Sequence, residues 1–185
     1  MLELIGKVLR PVRAGRHRSR LVALAPALSI DLTSPAFSDG SAIPIKHAGK
    51  GVGDNISPSL RWSGVPENTV TLVLIVEDDD VPLPHPLMHT IAILPADIDH
   101  IDEGALQPGT PGIRFIKTPL GRGYSGPRPI PGHGAHHYRF YLFALNSPVS
   151  NEVTTRDNLL STMPNNVTAR GVLTGTYQRA ARRST

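Results

Sequence analysis

A mainly β fold, an antiparallel sandwich with one or two short peripheral helices, is expected from three features of this chain. Pro and Gly are abundant, at 18 and 17 of 185 residues, together approaching a fifth of the chain where ~12% is usual. They are scattered without a repeat, so they read as many short turns. The apolar segments between them have strand length and are rich in β-branched residues. The clearest helix signal in the body of the chain comes late, after most of the strands. With 39% apolar residues the chain can build a core, and its length suits one domain.

Residues 1–28 form a basic N-terminal arm before a domain expected over 29–181. Lys7, Arg10, Arg13, Arg16, Arg18 and Arg20 stand there against Glu3 alone, in a chain of net charge +4. Three readings compete. A signal peptide is disfavoured because the apolar run Leu21–Leu28 is short, contains Pro26 and lacks a clean cleavage site. A nucleic-acid or membrane-surface arm lacks aromatic residues between the arginines. The plainest reading is an amphipathic helix that packs Leu2, Leu4, Ile5, Val8 and Leu9 on the domain and ends at Pro11. No segment is long enough to span a membrane.

Ser29–Thr33 alternates and reads as the opening strand, and Ile43–Ile45 as another extended piece. Val70–Val76 is a continuous apolar run, the pattern of a strand buried on both faces. Glu77 to Asp80 ends it abruptly. The carboxylates of Asp78, Asp79 and Asp80 there read most simply as solvated gatekeepers. Met88–Leu94 is the next strand, stopped by Pro95. Residues 96–134 carry six prolines and little periodicity, which points to a functional loop. Tyr138–Leu145 is a strong strand. Thr154 or Thr155 caps a helix over Arg156–Met163, and Val172–Gln178 returns as the last strand.

Polar chemistry collects at strand ends. Two-residue alternation puts His89 with Ile91 and Ile93. It puts His136 and Tyr138 with Phe140 and Leu142, while His137 and Arg139 face away. His133, in the loop, falls off that face. A His and a Tyr side by side at a strand mouth offer two hydrogen-bond donors to one anion. His85 and His89 have the spacing of a helical zinc site, but flanking prolines and the β pattern put them roughly 13 Å apart. No metal site or cofactor is therefore expected. Ser125 lacks a nucleophile elbow, and no phosphate loop or dinucleotide fingerprint occurs. The chain also has no Cys, which removes disulfides and thiolate chemistry. The chain is expected not to be an enzyme.

Several motifs stand in order: Ser34-Pro-Ala-Phe-Ser-Asp-Gly40, Asp54 to Trp62 with Ser63-Gly-Val-Pro66, and Val76-Glu-Asp-Asp-Asp-Val-Pro82. His89, then Gly126-Pro-Arg-Pro with His136 and Tyr138, and a closing segment Gly171–Arg179 complete the set. Together they resemble the phosphatidylethanolamine-binding protein family, which includes Raf kinase inhibitor protein. The resemblance covers residues 30–180 and implies a two-sheet antiparallel Greek-key β-sandwich. It also implies a small anion pocket formed by Asp78, His89, Gly126, Pro127, His136 and Tyr138. Three departures stand near that pocket. Asp79 replaces a proline and adds a negative charge beside the site, Thr90 replaces a tryptophan, and His137 replaces an arginine.

The function expected is non-catalytic binding of a phosphate-like anion or phospholipid head group. His89, His136 and Tyr138 would donate hydrogen bonds, and Asp78 would orient a histidine. The alternative is a regulatory inhibitor of a protease or kinase acting through the surface around the pocket. A homodimer is implied by resemblance, nucleic acid is not an expected partner, and the expected location is cytoplasmic.

Overall fold

The computed structural model describes residues 1–179; the end of the expected domain, residues 180 and 181, lies outside the described residues. The order is α1 (Leu2–Leu9), β1 (Leu28–Ser29), β2 (Asp31–Thr33), β3 (Leu60–Ser63), β4 (Thr71–Asp78) and β5 (Leu87–Pro95). There follow β6 (His100–Ile101), β7 (Arg114–Phe115), β8 (Ala135–Leu145), α2 (Arg156–Thr162) and β9 (Val167–Gln178). The protein is mainly β, with two sheets and two helices among the described residues. One sheet runs β1-β9-β8-β4-β5-β7 and the other β2-β3-β6. Pairing is antiparallel except between β1 and β9, which run parallel, a departure from the all-antiparallel expectation.

The opening strand proves to be two. Leu28–Ser29 pairs in the large sheet and Asp31–Thr33 in the small one. The chain crosses between sheets at Ile30, whose N–H still donates to the Arg170 carbonyl at 3.0 Å. The piece around Ile45 is a short 3-10 turn, Ile45–His47. β4 is buried along all 8 residues, as its unbroken apolar run requires. One face, with Leu72, Leu74 and Val76, packs against Leu32, Leu60 and Trp62 of the small sheet. The other, with Val73 and Ile75, is covered by Leu159, Leu160 and Met163 from α2 and its C-terminal end, and by Leu21 and Leu24. Each such side chain contributes roughly 1.5–3 kcal/mol by leaving water.

Leu21 and Leu24 come from the basic N-terminal stretch, so that stretch shares the core of the domain. Ala14 N–H donates to the Val81 carbonyl and Gly15 N–H to that of Asp79, each at 2.9 Å. The helix before them is rotated from its expected pose. Leu2, Leu4, Ile5 and Val8 are exposed, and Leu9 is half-buried. Its buried position is Gly6, where a Cβ would stand 2.0 Å from the Pro131 carbonyl oxygen. The two backbones meet because Gly has no side chain, and this contact overrides the apolar stripe.

Candidate functional site

The acidic run at the end of β4 is buried. Glu77, Asp78 and Asp79 are 2%, 1% and 3% exposed, which corrects the reading of Asp78 and Asp79 as solvated gatekeepers. A buried carboxylate needs a partner, and each here has its own. Ser19 Oγ donates to Glu77 Oε2 at 2.5 Å, and Asp78 Oδ2 lies 2.8 Å from His136 Nδ1. Arg139 pairs with Asp79, and Arg13 with Asp80 at 2.5 Å. The partners come from 57 to 67 residues away, where no local pattern could reveal them. Asp79 therefore does not add free charge to the pocket. It faces Arg139, on the side of the sheet that His137 also takes.

His89 sits on the opposite face from the one that simple alternation assigns. β4 and β5 pair Val76 with Thr90 and then Glu77 with Met88, so His89 is skipped by the register. Such a bulge re-aims a side chain. Ile91 and Ile93 join the second core cluster, whereas the His89 ring meets Tyr138 edge-on, with centroids 5.2 Å apart. Tyr138 stands directly across from Asp78 in the β4–β8 ladder, on the face shared with Phe140 and Leu142 as alternation predicts.

These side chains line one cavity of about 250 Å³ with Gly126 and, at its rim, Leu83, Leu120 and Arg128. Of the six site residues expected from sequence, Asp78, His89, Gly126, His136 and Tyr138 meet there. Pro127 does not line it; Pro129 and Ile130 do. Gly126 is pressed onto a neighbouring loop, where a Cβ would lie 2.0 Å from the His47 carbonyl oxygen. Its N–H donates to Asn55 Oδ1 at 2.9 Å. That loop, His47 to Ser59, thus forms part of the support for the site.

His133 does not line the cavity, in keeping with its loop position, but nothing in the sequence signalled that it holds His136. It is fully buried, and its Nδ1 lies 2.7 Å from His136 Nε2. Its Nε2 lies 2.9 Å from the Leu9 carbonyl and 3.1 Å from that of Val12. Carbonyls only accept, so His133 Nε2 carries the proton. With its ring neutral, Nδ1 accepts, and the His136 Nε2 proton is donated to it. A second proton then lies between His136 Nδ1 and Asp78 Oδ2, which together form an imidazolium–carboxylate pair or its neutral equivalent. Burial holds the His133 pKa below its ordinary value, and a charge on His136 acts in the same sense.

Two buried polar atoms of the cavity wall have no hydrogen-bond partner among the described residues: His89 Nε2 and the Tyr138 hydroxyl. Burial lowers the His89 pKa, against the charge of Asp78. Burial, and then the charge of Asp78, hold the Tyr138 phenol well above its usual range. Unpaired buried polar atoms cost about 1–3 kcal/mol each, and a polar ligand would relieve both. Among the described residues no group of three or more His, Cys, Asp or Glu is placed to hold a metal ion. No described helix is long and apolar enough to cross a membrane.

The family model described as phosphatidylethanolamine-binding protein matches residues 33–178. A UPF0098 protein of Pyrococcus abyssi is 35% identical over 152 residues, covering 79% of this chain and 84% of that protein. A solved phosphatidylethanolamine-binding protein homologue from Chlamydia trachomatis is 35% identical, with a TM-score of 0.72, over 83% of this chain and 99% of that one. Escherichia coli YbcL, described as a member of the mammalian family, superposes with a TM-score of 0.74 at 27% identity, over 82% of this chain and 99% of its own. The family match begins after α1 and the basic stretch.

Proposed function

The chain belongs to the phosphatidylethanolamine-binding protein family, and from that premise we propose that it is a non-catalytic binding protein. Its cavity takes a phosphate-bearing ligand, either a small anion or a phospholipid head group, on the cytoplasmic side. We read the two sheets as the family's Greek-key sandwich, with the pocket at the ends of β4, β5 and β8. The observation that carries this reading is the pair of orphaned polar atoms, His89 Nε2 and Tyr138 OH, on the wall of one cavity. Arg128 at the rim supplies positive charge for an incoming anion. Asp78 orients His136 and does not contact the ligand.

Titration calorimetry of the full chain with methyl phosphate tests this. Saturable binding with a dissociation constant in the millimolar range or tighter is expected, and its absence up to tens of millimolar, on the order of −3 kcal/mol or weaker, would remove the reading. A second reading, an inhibitor of a protease or kinase, is favoured by the apolar rim. Leu83 and Leu120 there are 48% and 40% exposed, which suits a protein partner or a second copy.

A further inference from the structure

The hydrogen-bond accounting of the cavity says more than that an anion fits; it says which kind. This step rests on the reading of the cavity as an anion site. His89 Nδ1 lies 2.9 Å from the Ser125 carbonyl oxygen. A carbonyl only accepts, so the ring proton sits on Nδ1. In the neutral ring Nε2 is then a lone pair, buried and unpartnered among the described residues. The charged and titratable groups around it are Asp78, His136 and Arg128, with Tyr138 against its edge. Burial is the largest influence and keeps the ring neutral near pH 7.

The donors an anion would seek are mostly committed elsewhere. His136 spends Nε2 on His133 and Nδ1 on Asp78. Gly126 spends its N–H on Asn55. On the inner wall the Tyr138 hydroxyl, with the Asp78 carboxylate and the Arg128 backbone nearby, is left without a hydrogen-bond partner among the described residues, as is one acceptor, His89 Nε2. An oxyanion without a proton would put a lone pair against a lone pair at His89 and leave both groups unsatisfied in a buried place. An oxyanion with an O–H satisfies both walls at once.

We propose that the inner end of the cavity selects a protonated oxyanion, a phosphate or phosphomonoester that retains one O–H, over an oxyanion of the same shape that has none. The O–H donates to His89 Nε2, and an anionic oxygen of the same group accepts from the Tyr138 hydroxyl. His89 is thereby the specificity-determining residue. A site that hydrogen-bonds a ligand proton rejects the analogue lacking it far more strongly than shape alone could.

Inorganic phosphate and sulfate make the comparison directly. They are both tetrahedral and close in size, and near neutral pH phosphate keeps at least one O–H while sulfate keeps none. Binding of each to the full chain is measured by titration calorimetry at pH 7.5 and pH 5.5, at equal ionic strength. Sulfate is expected to bind at least roughly tenfold more weakly than phosphate at the higher pH. At the lower pH phosphate gains a second O–H and sulfate still has none, while burial continues to disfavour the charged form of His89, so sulfate is expected to remain the weaker ligand. Equal affinity at pH 7.5, or sulfate binding as tightly as phosphate at pH 5.5, overturns the selection while leaving an anion site. Failure of both ions to bind at either pH overturns the anion reading itself, and this inference with it.

Discussion

His133 and His137 flank the same strand mouth and differ in what they hold. His133 is buried between His136 and the carbonyls of Leu9 and Val12. His137 is exposed and bonds Asp80. His133→Ala leaves the His136 N–H unpaired in a dry place, so it is expected to destabilise the fold by about 1–3 kcal/mol. His137→Ala is expected to cost less than about 1 kcal/mol. Urea denaturation of the two variants checks this, and equal losses would contradict it. Glu77 gives a pH signature. Burial raises its pKa from 4.5 to about 7, against the hydrogen bond from Ser19. The folded state therefore binds more protons than the unfolded one between those values. Stability should fall as pH rises from about 4.5 to about 7 and then level off, by about 3 kcal/mol in all. Glu77→Gln is expected to flatten that slope in denaturation midpoints taken across the range. The residue scale is also where the sequence was least legible. Alternation found His136 and Tyr138, because both lie in an unbroken ladder. It missed His133, a loop residue, and misjudged the acids, whose partners are remote along the chain.

At the scale of elements, a bulge and two close backbone contacts place the site. The skipped residue in the β4–β5 register turns His89 onto the Tyr138 face, and strict two-residue alternation has no sign of it. The close contacts left only glycines in the sequence as a signal, at Gly6 and Gly126, and nothing to say what they touch. Gly126→Ala is expected to abolish phosphomonoester binding or folding, since its Cβ would overlap the His47 carbonyl oxygen; a fully stable variant that binds normally would contradict the packing described. α2 was readable because its signals are local. Thr155 is the N-cap and accepts from Asn158 N–H at 3.2 Å, as the sequence proposed. Thr155→Ala is expected to lower stability by about 1 kcal/mol, read as a shift in the urea midpoint with the slope unchanged.

Across the whole molecule, the large sheet is a shared wall between two cores, one facing the small sheet and one facing α2 and the N-terminal stretch. The order of many short strands and a late helix made that mainly β architecture legible. The role of residues 1–28 was not, because a run of arginines hides the few apolar residues that count, Ala14, Leu21 and Leu24. Deleting those residues should uncover the second core and free Glu77 and His133 of partners. The truncated chain is expected to aggregate or to melt well below the full one, and a soluble, equally stable product would contradict the account. The central claim is that His89 and Tyr138 face a bound phosphate group across this cavity. Crystals of the full chain grown with a phosphomonoester test it most directly. The account predicts tetrahedral density within hydrogen-bond distance of His89 Nε2 and the Tyr138 hydroxyl, with His136 still bonded to Asp78 and His133. An empty cavity at saturating ligand, or density that contacts neither atom, would contradict it.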